Sequence, residues 1–236
     1  MEPPLEDDIT AILEAWRFDP ERVNVRFIEA VDGRPLIQVR VEMGLLQMNR
    51  DGRPDGGRDE LEALEAEIIA DEGFRIDAER AAALRAEAVL IHQRYVALLS
   101  LEAYELVVRD ATRNLRIFDL CRDRGVDPED RGLLEQFRAQ VVATRSRAAA
   151  LGVLREGRVG EARRLLDAAV EEIRAGLAPE AVEPPEIPML EGMRDILQPR
   201  LPASQRHELE RRLHAALAAE NYELAAILRD ELRQLP

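Results

Sequence analysis

Val159-Gly160-Glu161-Ala162-Arg163-Arg164-Leu165-Leu166-Asp167-Ala168-Ala169-Val170-Glu171-Glu172-Ile173-Arg174-Ala175 is the stretch on which the fold class turns. Ala162, Leu165, Leu166, Ala169, Val170 and Ile173 recur at three- and four-residue intervals, which aligns them on one face of an α-helix. Gly157, just upstream, breaks whatever helix precedes it. The spacing therefore predicts a helix from Val159 to Ala175 buried along one stripe.

The same period extends through the middle of the chain. Asp127-Pro128 places a capping carboxylate before a proline suited to a first helical position, so a helix is expected from there to about Arg155. Asp77 caps a long helix bearing Ala81, Leu84, Val89, Ile91, Tyr95 and Leu98, and a further helical stretch runs from about Leu101 through Leu120 to Gly125. Leu61, Leu64, Ile68 and Ile69 mark an earlier helix that ends near Gly73. Apolar residues make up 46% of the chain and aromatic ones only 4%, so the core must be built from Leu, Ala, Val and Ile on helices. The expected class is mainly α.

The N-terminal part reads differently. A short helix is expected from Asp8 to Phe18, stopped at Asp19-Pro20. Val23–Val31 and Leu36–Met43 then read as strands joined at Asp32-Gly33, a pair suited to a turn with positive φ. Ile37, Val39, Val41 and Met43 should share a face turned toward something apolar, with Gln38, Arg40 and Glu42 opposite. Such a β-hairpin is marginal alone and must pack on helices or pair with more strand, for which Gly44 to Met48 is available.

Prolines 179, 184, 185 and 188 mark the strongest boundary, since they cannot continue a helix. The expected organisation is an N-terminal helix plus β-hairpin module over residues 1–57, a helical-hairpin body over 58–176, a proline-rich linker over 177–203 and a two-helix hairpin over 204–236. The linker should contain a short helix around Leu190 to Leu197. Ser204 is expected to cap the hairpin's first helix.

Composition excludes several chemistries. All 33 basic residues are arginine, so there is no lysine for a phosphate-binding P-loop or a Schiff base. None of Ser100, Ser146 and Ser204 lies in a Gly-x-Ser-x-Gly elbow. His92, His207 and His214 lack the partners of a metal site, and Cys121 reads as a small buried helix residue. Asn49 to Glu60 superficially offers a twelve-residue calcium loop. Pro54 stands where the glycine is needed, however, and Arg53 would oppose a cation, so an exposed Gly/Pro/Asp loop is expected. With 47 acidic residues and a net charge of -14, no basic stripe is available to release counterions from DNA or RNA. The N-terminus lacks a signal-like apolar run, no stretch approaches a membrane span, and the expected location is the cytoplasm.

The segment Leu209-Glu210-Arg211-Arg212-Leu213-His214-Ala215-Ala216-Leu217-Ala218-Ala219-Glu220-Asn221-Tyr222-Glu223-Leu224-Ala225-Ala226-Ile227-Leu228-Arg229-Asp230-Glu231-Leu232-Arg233-Gln234-Leu235 carries the most specific pattern. Leu209, Leu213 and Ala216 fall on one helical face, and Ala225, Leu228, Leu232 and Leu235 on another, so two short helices can zip about a turn at Glu220-Asn221. With Tyr222-Glu223, the small pair Ala225-Ala226 and the run Leu228-Arg229-Asp230, the segment resembles the UVR motif of the bacterial excision-repair subunits UvrB and UvrC and of some chaperone-associated adaptors. Upstream, Gly157 to Ala169 resembles the second helix of a tetratricopeptide repeat. Its preceding helix lacks the matching large residues, so stacked helical hairpins are expected rather than a solenoid.

The UVR resemblance implies a protein partner, itself UVR-bearing or not, with self-association as a further option. It implies contact through Tyr222, Glu223, Leu228, Arg229 and Asp230. No catalytic, cofactor-binding or metal-binding residues are expected, nor any direct contact with nucleic acid or membrane. The leading expectation is a non-enzymatic adaptor. The alternative is a DNA-repair accessory factor acting through a UVR-bearing partner.

Overall fold

The computed structural model describes residues 9–197, 203–218 and 221–234. Asp8 and Leu235, invoked above, lie outside them. The chain is mainly α, and it divides into two compact units, Met1–Glu191 and Gly192–Pro236. In the first unit the order is α1 (Thr10–Ala15), β1 (Val25–Glu29), β2 (Pro35–Val41), β3 (Gly44–Asn49), α2 (Glu60–Ala70), α3 (Ala78–Ser100), α4 (Tyr104–Arg124), α5 (Pro128–Gly132), α6 (Arg138–Arg155) and α7 (Val159–Ala175). Next comes α8 (Glu186–Ile196), which crosses into the second unit, followed there by α9 (Ala203–Ala218) and α10 (Tyr222–Gln234).

The three strands form an antiparallel sheet in the order β1-β2-β3, with Gly33 at φ 83° in the first turn. The third strand thus supplies the pairing that a lone hairpin lacks. Ile37 is fully buried opposite Met48, but Val41 is exposed and Met43 lies beyond the end of β2, 90% exposed, so the apolar face is buried only at one end. On the opposite face Gln38 and Arg40 are buried as well, while Glu42 is exposed. Gln38, at 4% exposure, accepts from Arg26 at 2.7 and 2.9 Å and donates to Gln47 at 2.8 Å, forming a ladder across all three strands. Arg40 donates to the backbone carbonyls of Trp16 and Gly44, each at 2.9 Å, and Arg26 lies over the Trp16 ring at 4.0 Å. These groups tolerate burial because each finds a partner.

Periodicity places the helices well, with α7 spanning the expected residues. Asp77 accepts from the Arg80 amide and Asp127 from the Glu129 amide, as capping requires. The expected helix from Pro128 to Arg155 is instead interrupted after Gly132 by a turn and a 3-10 segment at Glu135–Phe137, which turns Leu134 into the core. Ile69 and Val89 are exposed, at 87% and 55%, because each lies off the stripe that its buried helix neighbours define. Helix α3 packs on α4, α4 on α6 and α6 on α7. The turn between α3 and α4 holds Glu102 at φ 55°, where Arg155 donates to its carbonyl and pairs with its carboxylate.

Sheet and helices are joined by buried ion pairs within the first unit. Arg94, 1% exposed, grips both carboxylate oxygens of Asp110 at 2.6 and 2.9 Å, and its remaining nitrogen donates to the carbonyls of Asn49 and Gly52 at 3.1 and 2.6 Å. Arg109 adds the Arg50 carbonyl and Asp51, each at 2.7 Å. The loop that superficially suggested calcium therefore wraps a guanidinium from the body, with Pro54 buried beneath it. Beside it, fully buried Glu87 pairs with Arg113 at 2.7 Å and accepts from the Glu60 amide at 2.7 Å. Burial pulls the Arg113 pKa down, but Glu87 and Asp59 outweigh it and hold it above the ordinary value.

Ile187 and Leu190 of α8 are fully buried, and Arg174 pairs with both Glu183 and Glu191. The proline-rich stretch, with a turn at Pro179-Glu180, thus runs without helix only as far as Pro185, and α8 begins at Glu186, earlier than expected.

Candidate protein-interaction surface

The C-terminal hairpin is built by two faces. Leu209 and Leu213 of α9 pack with Ala216 against Ala225 and Leu228 of α10, the latter three only 4%, 5% and 2% exposed. Alanine at 216 and 225 lets the two backbones approach closely. Asn221 opens α10: its side chain accepts from the Leu224 amide at 3.1 Å, and its own amide donates back to the Ala216 carbonyl at 2.9 Å. It is the N-cap of the second helix, a role not assigned to it from the sequence, although asparagine just ahead of an amphipathic run is the usual signal. Helix α9 begins at Ala203, one residue before Ser204, the residue expected to precede it.

The expected contact residues separate in this geometry. Tyr222 is 68% exposed. Arg229 is also exposed and takes part in an interaction within the chain. Seven residues apart, the two share one flank of α10. Leu228 is a core residue of the hairpin, so its influence on any partner runs through the hairpin's fold. The side chains of Glu223 and Asp230 lie outside the described residues. Leu224 and Ile227, not singled out from the sequence, form the other flank at 39% and 59% exposure, and Leu217 on α9 is 46% exposed. They could have been found by subtraction, as apolar residues left over once the zipping positions are assigned.

Residues 204–235 match the family model of the UvrB/uvrC motif. The matched range coincides with the two helices whose core has just been described, so the UVR hairpin is a folded two-helix unit. No curated protein and no solved structure matches the chain.

Elsewhere in the described residues, no group of three or more His, Cys, Asp and Glu side chains could hold a metal ion, and no helix is long and apolar enough to cross a membrane. Cys121 is 1% exposed; burial pushes its thiol up to about 11, with Arg85 opposing and Asp130 adding. Burial likewise pushes the Tyr95 phenol up to about 12. In the unfolded chain these groups ionise near their ordinary values of 9.0 and 10.0. Their protonated folded forms therefore contribute stability fully below pH 9, and that contribution is lost as the pH rises through 11 and 12. The melting temperature is expected to fall progressively above about pH 9, and Cys121→Ala should remove the earliest part of the fall. A flat profile between about pH 8 and 11 would contradict this.

Proposed function

We propose that the protein is a non-enzymatic, cytoplasmic adaptor that binds a protein partner through its UVR hairpin. One observation carries this reading: among the described residues five side chains form the hairpin's core, while Leu217, Tyr222, Leu224 and Ile227 remain at 39% exposure or more on its surface. Four exposed apolar side chains on so small a unit are more than scattered surface hydrophobics require. Tyrosine and arginine on one flank add the side chains that most often anchor interfaces.

The test compares Tyr222→Ala and Arg229→Ala for folding and for capture of native partners. Both should keep the helical content of the parent, and at least one should weaken capture about tenfold, equivalent to roughly 1.4 kcal/mol. Loss of helicity with Arg229→Ala, or undiminished capture by both variants, would assign this flank to the hairpin's own stability.

The match to the UvrB/uvrC motif favours a second reading, an accessory role in DNA repair through a UVR-bearing partner. Either way the chain should not contact DNA itself. At net charge -14 it is expected to give no gel shift with duplex DNA at micromolar protein and physiological salt. A salt-sensitive shift under those conditions would refute the indirect mode in both readings.

A further inference from the structure

Strand β1 forms one edge of the sheet, and that edge is open. In its ladder with β2 the Arg40 amide donates to the Asn24 carbonyl and the Ala30 amide to the Arg34 carbonyl, each at 2.8 Å. Bonded positions alternate along an antiparallel strand, so the even-numbered residues serve β2 and the amides and carbonyls of Val25, Phe27 and Glu29 point the other way. They have no hydrogen-bond partner among the described residues. At the opposite edge the last residue of β3, Asn49, donates to the Pro54 carbonyl at 2.8 Å, so the following loop covers that end. A row of unpaired amides and carbonyls such as that of β1 is a template for one further strand.

The same strand borders a cavity. Phe27, 46% exposed, lines a space of about 840 Å³ whose other walls come from the α3–α4 turn, α4, α6 and α7. Leu106, Ala148, Val153 and Leu165 give it an apolar lining. A residue set opposite Phe27 on an added strand turns its side chain to the same face, with the two Cβ atoms about 4.5–5.5 Å apart. An apolar side chain is suited to that place.

Charge narrows the occupant further. Arg50, Arg155 and Arg158 also line the cavity, and each is already engaged: by Asp51 at 3.1 Å, by Glu102, and by Glu156 and Glu161 at 2.8 and 2.6 Å. Glu105, on the same lining, and Glu29, two residues along β1 on the Phe27 face, are exposed and have no ion-pair partner among the described residues. The uncompensated charge around Phe27 is therefore negative. It favours lysine or arginine beside the apolar residues of the occupant, and it disfavours a second copy of a chain whose own net charge is -14.

We propose that the open edge of β1 is a docking site for an extended segment of a partner protein, apolar at alternate positions and flanked by basic residues, which adds as a further antiparallel strand beside Phe27. Main-chain hydrogen bonds supply the affinity and the alternate side chains the selection. The site belongs to the first unit and does not depend on what the hairpin binds.

Calorimetric titration of the full chain with the peptide Ac-Arg-Thr-Val-Thr-Val-Thr-Arg-NH2 tests it. Arginines and valines fall on one face of this peptide and threonines on the other. One site with Kd below about 1 mM is expected, and binding at least about tenfold weaker when glutamate replaces both arginines. Residues directly opposite Val25 and Phe27 exchange backbone bonds with them, so N-methylation of both valines should weaken binding at least about tenfold, whereas N-methylation of the threonines should not. Val25→Pro removes a donor that points away from β2, so it should keep the parent's melting temperature and weaken binding at least about tenfold. If Val25→Pro does not fold, the N-methylated peptides test the same bonds on the native chain. Glu29→Arg should reduce the preference for the arginine peptide over the glutamate one. The proposal is overturned by the absence of saturable binding, by the glutamate peptide or the N-methylvaline peptide binding as tightly as the parent peptide, or by a dimer in sedimentation that Val25→Pro dissolves, which would give the edge to a second copy.

Discussion

Asp110→Ala is expected to destabilise the first unit by about 3–5 kcal/mol, because it leaves the Arg94 guanidinium buried without its counter-charge. Asp110 is fully buried and accepts from Arg94 through both oxygens and from Arg109 at 2.9 Å, so water cannot replace it without opening the packing of α3 on α4. At roughly 2–4 °C per kcal/mol for a chain of this size, the melting temperature should drop by about 6–20 °C. Replacing both partners by apolar residues, as in Arg94→Met with Asp110→Leu, should recover part of the loss. Recovery should be incomplete. Arg94 also supplies the donors for the Asn49 and Gly52 carbonyls, which the double variant leaves unmatched. An Asp110→Ala variant within about 1 kcal/mol of the parent would show that the pair is not what joins sheet to helices.

That pair also shows where sequence reading stops. Helical period, caps at Asp77 and Asp127, and the turn at Asp32-Gly33 are local signals, and each was legible because the residues that create it lie within a few positions of one another. Arg94 and Asn49 lie 45 residues apart. Nothing near Arg94 distinguishes it from the solvated arginines around it, and only the packed structure shows that it is buried. The same limit explains the polar face of β2. Gln38 and Arg40 alternate with apolar residues as surface positions do, yet they are covered because cross-strand neighbours and the segment after α1 complete their hydrogen bonds. The break between α5 and α6 is not legible in the sequence, because Asp127-Pro128 announces a helix start and carries little information about its length.

At the hairpin the balance is reversed. Leu209, Leu213, Ala216, Ala225 and Leu228 were legible as facing stripes, since both helices are short and close in sequence. The outward residues were less so, because periodicity identifies what is buried and leaves the surface positions undifferentiated. Leu228 could be read as both core and contact, and its 2% exposure assigns it to the core. Leu224 and Ile227 can be found in the sequence only by subtraction, and the structure gives their exposure directly.

Leu228→Asp is accordingly expected to have the largest effect on binding of any single change. Truncating a buried leucine to alanine costs about 2–5 kcal/mol, and a carboxylate buried without a partner costs more. Two helices of 16 and 13 residues, held among the described residues by five side chains, have little stability in reserve. The hairpin should lose its helices while the first unit, with its own core, melts as in the parent. The decisive measurement is capture of native partners by the full chain, by the Leu228→Asp variant and by a chain ending at residue 202. An adaptor that works through its UVR hairpin should retain its partners only in the intact chain, with capture by both variants at background. Equal capture by all three would contradict that role and leave the hairpin as a structural appendage of the body.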